Sequence, residues 1–164
     1  MRRVVAVLFA VAVLGAAAAA YAGSSTPTGL PSGNAVFGGG HFAFYNTGTD
    51  RDFSLSATKG TSGSKAVGTL IYSQGETIVQ VTCLNISGNE AVVGGIVRSS
   101  STETLGTFDY MMFTDNSMPG SGGTPDAVSG LGLTGQQGKQ PCPAFDPTVT
   151  TNPLTGGDVL VHAA

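Results

Sequence analysis

The sequence predicts an all-β fold: an antiparallel β-sandwich or barrel-like single domain that follows a cleaved signal helix. Two observations carry this prediction. Short apolar segments recur at near-regular spacing with glycine-rich turns between them, and no stretch after the signal shows a sustained 3.6-residue hydrophobic period. Residues 23–164 have the length of one domain, and of the two architectures we favour the sandwich.

The individual strands follow from apolar and alternating segments. They are predicted at 35–45, 51–57, 66–72, 76–86, 91–97, 107–114 and 158–162. Ser87-Gly88-Asn89 is the clearest hairpin turn, whereas Gly94 and Gly95 are expected to interrupt the strand around them. The segment 107–114 is apolar on both faces, which is typical of a central strand. A long loop is expected at 115–156. Either it contains a short element of secondary structure that the sequence pattern does not reveal, or it wraps across the sheet.

The amino terminus has the three parts of a secretory signal peptide. Arg2 and Arg3 precede an apolar run at 4–14, and Ala20-Tyr21-Ala22 fits the small-x-small pattern of signal peptidase sites. The strongly apolar part is about half of the roughly 20 residues that a membrane-spanning helix needs. We therefore predict a signal peptide at 1–22, a flexible leader at 23–34 and a β domain at 35–164, secreted and released.

Composition argues against two classes of partner. Without Arg2 and Arg3, five of the seven basic residues remain against ten acidic ones, a net charge of about −5. Nucleic acids and anionic membranes require clustered Lys and Arg, so neither is expected as a partner after signal cleavage. The five remaining basic residues stand singly in the sequence: Arg51, Lys59, Lys65, Arg98 and Lys139.

Cys83 and Cys142 are the only cysteines. In an exported protein with two cysteines a structural disulfide is the expected outcome. A reactive thiol is the alternative, and it would need an activating neighbour such as a His, which neither cysteine has nearby in sequence.

The loop that begins at Asp115 carries the best candidate site. Asp115, Asn116 and Asp126 supply oxygen atoms of the kind that Ca²⁺ binds. Their spacing matches no EF-hand, and Asp and Asn beside Gly and Pro are also ordinary turn formers. His41 and His162 are too few for a zinc site on their own. No catalytic motif and no cofactor-binding motif is found, so no cofactor is expected.

Several segments together resemble a family of uncharacterised secreted all-β proteins from actinobacteria and related bacteria. The resemblance spans roughly residues 35–163 and is carried by Val81-Thr82-Cys83-Leu84-Asn85-Ile86-Ser87-Gly88-Asn89, Ala91-Val92-Val93-Gly94-Gly95, Thr114-Asp115-Asn116, Pro125-Asp126-Ala127-Val128-Ser129 and Gly157-Asp158-Val159-Leu160-Val161-His162-Ala163. It departs at Asn116-Ser117, where the family more often has Asn-Gly. It implies an all-β domain with a disulfide in a bacterial protein, and it implies no activity.

These observations favour a non-enzymatic, monomeric extracellular binding or structural module with an unknown ligand or surface as partner. The alternative is an extracellular hydrolase that uses an unrecognised set of residues: Asp115, Asp126 and a histidine. The two hypotheses differ in a geometric expectation, because the enzyme requires these side chains within hydrogen-bond reach in one pocket.

Overall fold

The computed structural model describes residues 32–44, 47–61, 64–73, 76–116, 123–146, 149 and 152–164. The predicted signal peptide at 1–22 and most of the predicted leader lie outside these residues, although Gly33 and Asn34 of that leader already belong to the first strand. No helix in the described part of the chain is long and apolar enough to cross a membrane.

The described residues form an all-β domain, as the hydrophobic pattern predicts. In chain order the strands are β1 (Gly33–Phe44), β2 (Thr49–Gly60), β3 (Val67–Tyr72), β4 (Thr77–Ser87), β5 (Glu90–Ser99), β6 (Thr107–Thr114), β7 (Ala127–Val128), β8 (Gly132–Gln137) and β9 (Asn152–His162). All of the pairings are antiparallel.

The sheet closes on itself, so the architecture is the barrel rather than the sandwich. Strands β1 to β6 pair in sequence as a meander, β6 pairs with β7, β7 with β9, and β9 returns to β1. Eight strands form this closed barrel, and β8 lies beside β6 without a further strand on its other side. Closure leaves the barrel strands without the long open edges that a sandwich must protect.

Inward-facing side chains fill the barrel, as expected for eight strands. Four aromatic rings form its centre: Phe42 lies 6.3 Å from both Phe53 and Tyr72 between ring centroids, and Phe53 lies 5.5 Å from Phe113. Phe42 and Phe113 are fully buried. A filled interior means that any ligand must bind on the outer surface or at an end of the barrel.

A second, smaller core lies on the outer face of β4, β5 and β6. It contains Cys83, Ile96 and Phe108, with Tyr110 and Cys142 packed against it. Because β6 has the main core on one face and this outer core on the other, six of its eight residues, 107–109 and 111–113, are buried. The prediction of a central strand at 107–114 is confirmed.

Glycines in β5 make room for the outer core, and β5 runs through them without interruption. A Cβ at Gly94 would lie 2.6 Å from Phe108 Cζ, and a Cβ at Gly95 would lie 2.0 Å from the Gln80 carbonyl oxygen. The expectation that these glycines break the strand is therefore wrong. They are required by close packing, not by a turn.

The segment 115–156 differs from the single long loop that the sequence predicts. It holds the two-residue β7 and the six-residue β8, and β9 begins at Asn152 instead of 158. Strand β8 was not predictable from alternation because it lies outside the barrel and most of its residues are exposed or half-buried. Of the two alternatives for this segment, the short element of secondary structure is present, as β7 and β8.

Candidate functional site

Asp115 and Asp126, the acidic members of the calcium candidate, come together at the junction between β6, β7 and β9. Asp126 is 6 % exposed. Its Oδ1 accepts a hydrogen bond from the backbone N–H of Asn116 at 2.8 Å, and its Oδ2 accepts one from the N–H of Val159 at 2.8 Å. Asp115 Oδ2 accepts a hydrogen bond from the N–H of Val161 at 2.9 Å.

These two carboxylates accept backbone hydrogen bonds from β9 where no neighbouring strand of the described residues does so. Strand β7 pairs with β9 only at Pro153 and Asn152, so it does not reach the part of β9 around residues 159–161. There the N–H groups of β9 that point away from β1 donate to Asp126 and Asp115 instead. Backbone donors left unpaired in such a place are costly, so the two side chains close the barrel seam.

A third carboxylate belongs to this seam. Burial, then a hydrogen bond with Asp126 and the charges of Asp126 and Asp115, together raise the pKa of Asp158 to about 6. Burial also raises the pKa of Asp115, against a hydrogen bond from Val161 that lowers it. Asp158 therefore binds a proton at mildly acidic pH, more readily than an ordinary carboxylate does.

The described residues contain no group of three or more His, Cys, Asp or Glu side chains placed to hold a metal ion. The carboxylate oxygens of Asp115 and Asp126 that would face an ion instead accept backbone hydrogen bonds, and Asn116 Nδ2 donates to the Pro125 carbonyl at 2.8 Å. The calcium hypothesis stays a prediction, and the hydrogen bonds give these residues a structural role that needs no ion.

Neither histidine joins these carboxylates. His41 Nδ1 is hydrogen-bonded to Asp52 Oδ1 at an exposed position on β1 and β2. His162 lies at the end of β9, opposite Ala35 of β1. Within the described residues no hydrogen bond or ion pair links a histidine to Asp115 or Asp126, so the geometry expected of the hydrolase hypothesis is not found there.

The disulfide that the sequence predicts is present and forms one wall of a surface cleft. Cys83 in β4 and Cys142 are bonded, with their Cα atoms 5.1 Å apart. The cleft has a volume of about 300 Å³, at the lower end of the range for small-molecule sites. We call it the disulfide cleft; its polar lining consists of Lys59, Ser64, Lys65, Thr82 and Gln140.

The cleft arises because β3 is shorter than β4. The pairing of β3 with β4 runs from Tyr72 to Thr69, which lies opposite Gln80, whereas β4 continues to Ser87. Beyond that point the chain before β3, including Ser64 and Lys65, and the segment that carries Cys142 line the space beside β4. The disulfide and a hydrogen bond from Asn85 Nδ2 to the Pro143 carbonyl at 3.3 Å hold that segment in place.

The cleft is cationic and rich in hydrogen-bond donors. The ion pair found among the described residues joins His41 and Asp52, so Lys59 and Lys65 have no acidic partner there. No described acidic residue lines the cleft. Thr82 Oγ1 is buried and makes no hydrogen bond within the described residues.

Sequence reasoning missed this site, because Lys59 and Lys65 appear there as isolated charges. The structure brings two of the five basic residues that follow the predicted signal peptide to one cleft. One feature of the sequence could have indicated the site: residues 53–75 contain both lysines and no Asp or Glu.

Comparison of the chain with protein-family models, with curated proteins and with solved structures finds no significant match. The resemblance to secreted actinobacterial proteins therefore stays a prediction, and function must be argued from the site itself.

Proposed function

We propose that this chain is a secreted, non-enzymatic, monomeric extracellular binding module that recognises a small molecule at the disulfide cleft. The observation that carries the proposal is a set of polar groups in that cleft: among the described residues, Lys59 and Lys65 have no acidic partner and the buried Thr82 hydroxyl makes no hydrogen bond. A buried hydroxyl without a hydrogen bond costs free energy, and a bound ligand would supply the partner.

The surrounding architecture supports recognition at a preformed site. The disulfide fixes the segment that carries Gln140 against β4, and Gln140 Nε2 donates to the Gln137 carbonyl at 3.0 Å. Side chains held in place before binding lose little entropy when the ligand arrives. Secretion is supported by the signal-peptide pattern at the amino terminus and by the disulfide, which persists in oxidising compartments.

The proposal is tested by a small-molecule screen against the secreted protein, recorded by NMR on ¹⁵N-labelled material. The library should contain neutral sugars, free amino acids and simple anions. We expect at least one class to shift the amide signals of Ser64, Thr82 and Gln140 in a saturable way. Binding that consistently shifts other regions, or no saturable shift from any class, would overturn the assignment of the cleft as the site.

A further inference from the structure

We propose that the disulfide cleft binds the oxyanion group of a phosphate- or sulfate-bearing small ligand, held between Lys59 and Lys65. This inference rests on the proposed function, because it names the ligand class for the same site. It goes further in stating which chemical group is recognised and which side chains recognise it.

The charge of the cleft matches a dianion. Lys59 and Lys65 both line it, no described acidic residue does, and neither lysine is in an ion pair within the described residues. A sulfate or a doubly ionised phosphate neutralises both ammonium groups, whereas a single carboxylate leaves one of them uncompensated. Lysine binds phosphate groups as a compact point charge.

The sequence around the two lysines carries no negative charge although the whole chain is acidic. Residues 53–75 contain Lys59 and Lys65 and no Asp or Glu, and no described acidic residue lines the cleft.

The hydrogen-bonding capacity of the cleft points to the same group. The two lysines can only donate, and the hydroxyl groups of Ser64 and Thr82 can donate as well. The Thr82 hydroxyl is buried and has no hydrogen bond within the described residues. An ionised sulfate or phosphate only accepts hydrogen bonds, so its chemistry matches a cleft lined by donors.

The size of the cleft indicates that the oxyanion is part of a larger ligand. A volume of about 300 Å³ exceeds what a single tetrahedral oxyanion fills, and ligand-binding clefts typically begin near this size. The remaining wall is apolar, formed by Ala66, Leu84, Pro141 and the disulfide. This surface would pack against the body of the ligand.

The inference is tested with sodium sulfate, sodium phosphate, sodium acetate and a neutral sugar as probes, at a constant ionic strength of about 0.1 M. The protein is the complete secreted chain with its disulfide intact, observed by ¹⁵N NMR. We expect sulfate and phosphate to shift the amides of Ser64, Lys65 and Thr82 saturably, at lower concentration than acetate does. A phosphate ester and a sulfate ester of the same sugar then distinguish free anions from ester ligands, and the esters are expected to bind more tightly.

Variants identify the side chains. Lys59→Gln and Lys65→Gln should each weaken sulfate binding about tenfold, as expected for loss of a charge-assisted contact. Thr82→Val, which keeps the shape and removes the hydroxyl, should weaken it severalfold. Lys139→Gln is the matched control, because Lys139 is an exposed neighbour of the cleft that does not line it; it should bind sulfate as the wild type does.

The outcomes separate this inference from the proposed function. If the neutral sugar binds at the cleft and the anions do not, the oxyanion assignment is overturned and the binding module stands. If acetate binds as tightly as sulfate, or both lysine variants bind sulfate normally, the oxyanion assignment is likewise overturned. If no probe shifts the cleft amides and the wider screen also finds no ligand there, both proposals fall.

Discussion

Replacement of Asp109 by Asn should remove a pH-dependent cost to the stability of this barrel. Asp109 lies in β6 and is 1 % exposed. Its Oδ2 has no hydrogen-bond partner within the described residues. Burial and, to a smaller extent, the nearby charge of Glu103 raise its pKa to about 6, against a hydrogen bond from the backbone of Thr134 that lowers it.

The sign and magnitude follow from linkage between protonation and folding. The folded pKa of about 6 lies above the ordinary value of 3.8, so the native state binds more protons than the unfolded state between pH 4 and pH 6. The free energy of unfolding therefore falls as pH rises through this window and levels off above about pH 7. For one group shifted by about two pKa units, the loss between pH 4 and pH 8 is about 2–3 kcal/mol.

The assay is urea unfolding of the wild type and Asp109→Asn at pH 4 and pH 8. An amide at this position has its own desolvation cost, but that cost does not depend on pH and cancels when the two pH values are compared. We expect the difference in unfolding free energy between the variant and the wild type to be about 2–3 kcal/mol more favourable at pH 8 than at pH 4. Asp50→Asn makes the same charge change at an exposed position and should show little of this effect.

Equal pH dependence in Asp109→Asn and the wild type would refute the reasoning, since it would mean that the buried carboxylate does not titrate differently in the folded state. Asp158 and Asp115 also have raised pKa values, so the variant should keep part of the wild-type pH dependence. The test therefore depends on the difference between the two proteins and not on either profile alone.

Three further substitutions test the architecture. Asp126→Ala removes the acceptor of two backbone N–H groups and should lower the unfolding free energy in urea by about 3 kcal/mol or more; an unchanged midpoint would contradict the role of this carboxylate in the seam. Replacing Cys83 and Cys142 by Ala releases a loop of 59 residues and should cost about 4 kcal/mol in the same assay; a loss below 1 kcal/mol would mean that other contacts hold this segment. Gly95→Ala places a Cβ 2.0 Å from the Gln80 carbonyl oxygen and should cost about 3 kcal/mol or more; a normal melting temperature would show that β4 and β5 can separate at little cost.

The strands of the meander were predictable because each alternates between a buried and an exposed face. In β2, Phe53, Leu55 and Ala57 point into the core while the serines between them face solvent, which is the pattern that the sequence displays. Strand β6 was identified with its observed bounds because its apolar residues occupy both faces. Alternation of apolar and polar residues indicates which face of a strand is buried, and it does not depend on which strand is the partner.

Closure of the barrel was not predictable, because it depends on interactions with no periodic signature. Strand β7 has two residues, and the rest of that seam is closed by Asp115 and Asp126. In the sequence, an Asp that accepts hydrogen bonds from a strand cannot be distinguished from a turn former or an ion ligand. All three roles use the same carboxylate oxygen atoms. The disulfide cleft was missed for a related reason: Lys59 and Lys65 line one cleft only because β3 ends and leaves space beside β4.

The seam and the cleft lie on opposite sides of the barrel, and different interactions hold the two sides together. Going round the barrel in either direction, β4 is four strands away from β9. The β4 side is held by backbone pairing with β5 from Ile78 to Ser87, with two register shifts, and by the disulfide, whereas part of the β9 side is held by carboxylates with raised pKa values. Local opening favours the region with the fewest backbone hydrogen bonds. Changes in pH should therefore loosen the seam before they disturb the cleft, so the cleft should keep its shape while the opposite side of the barrel responds to the medium.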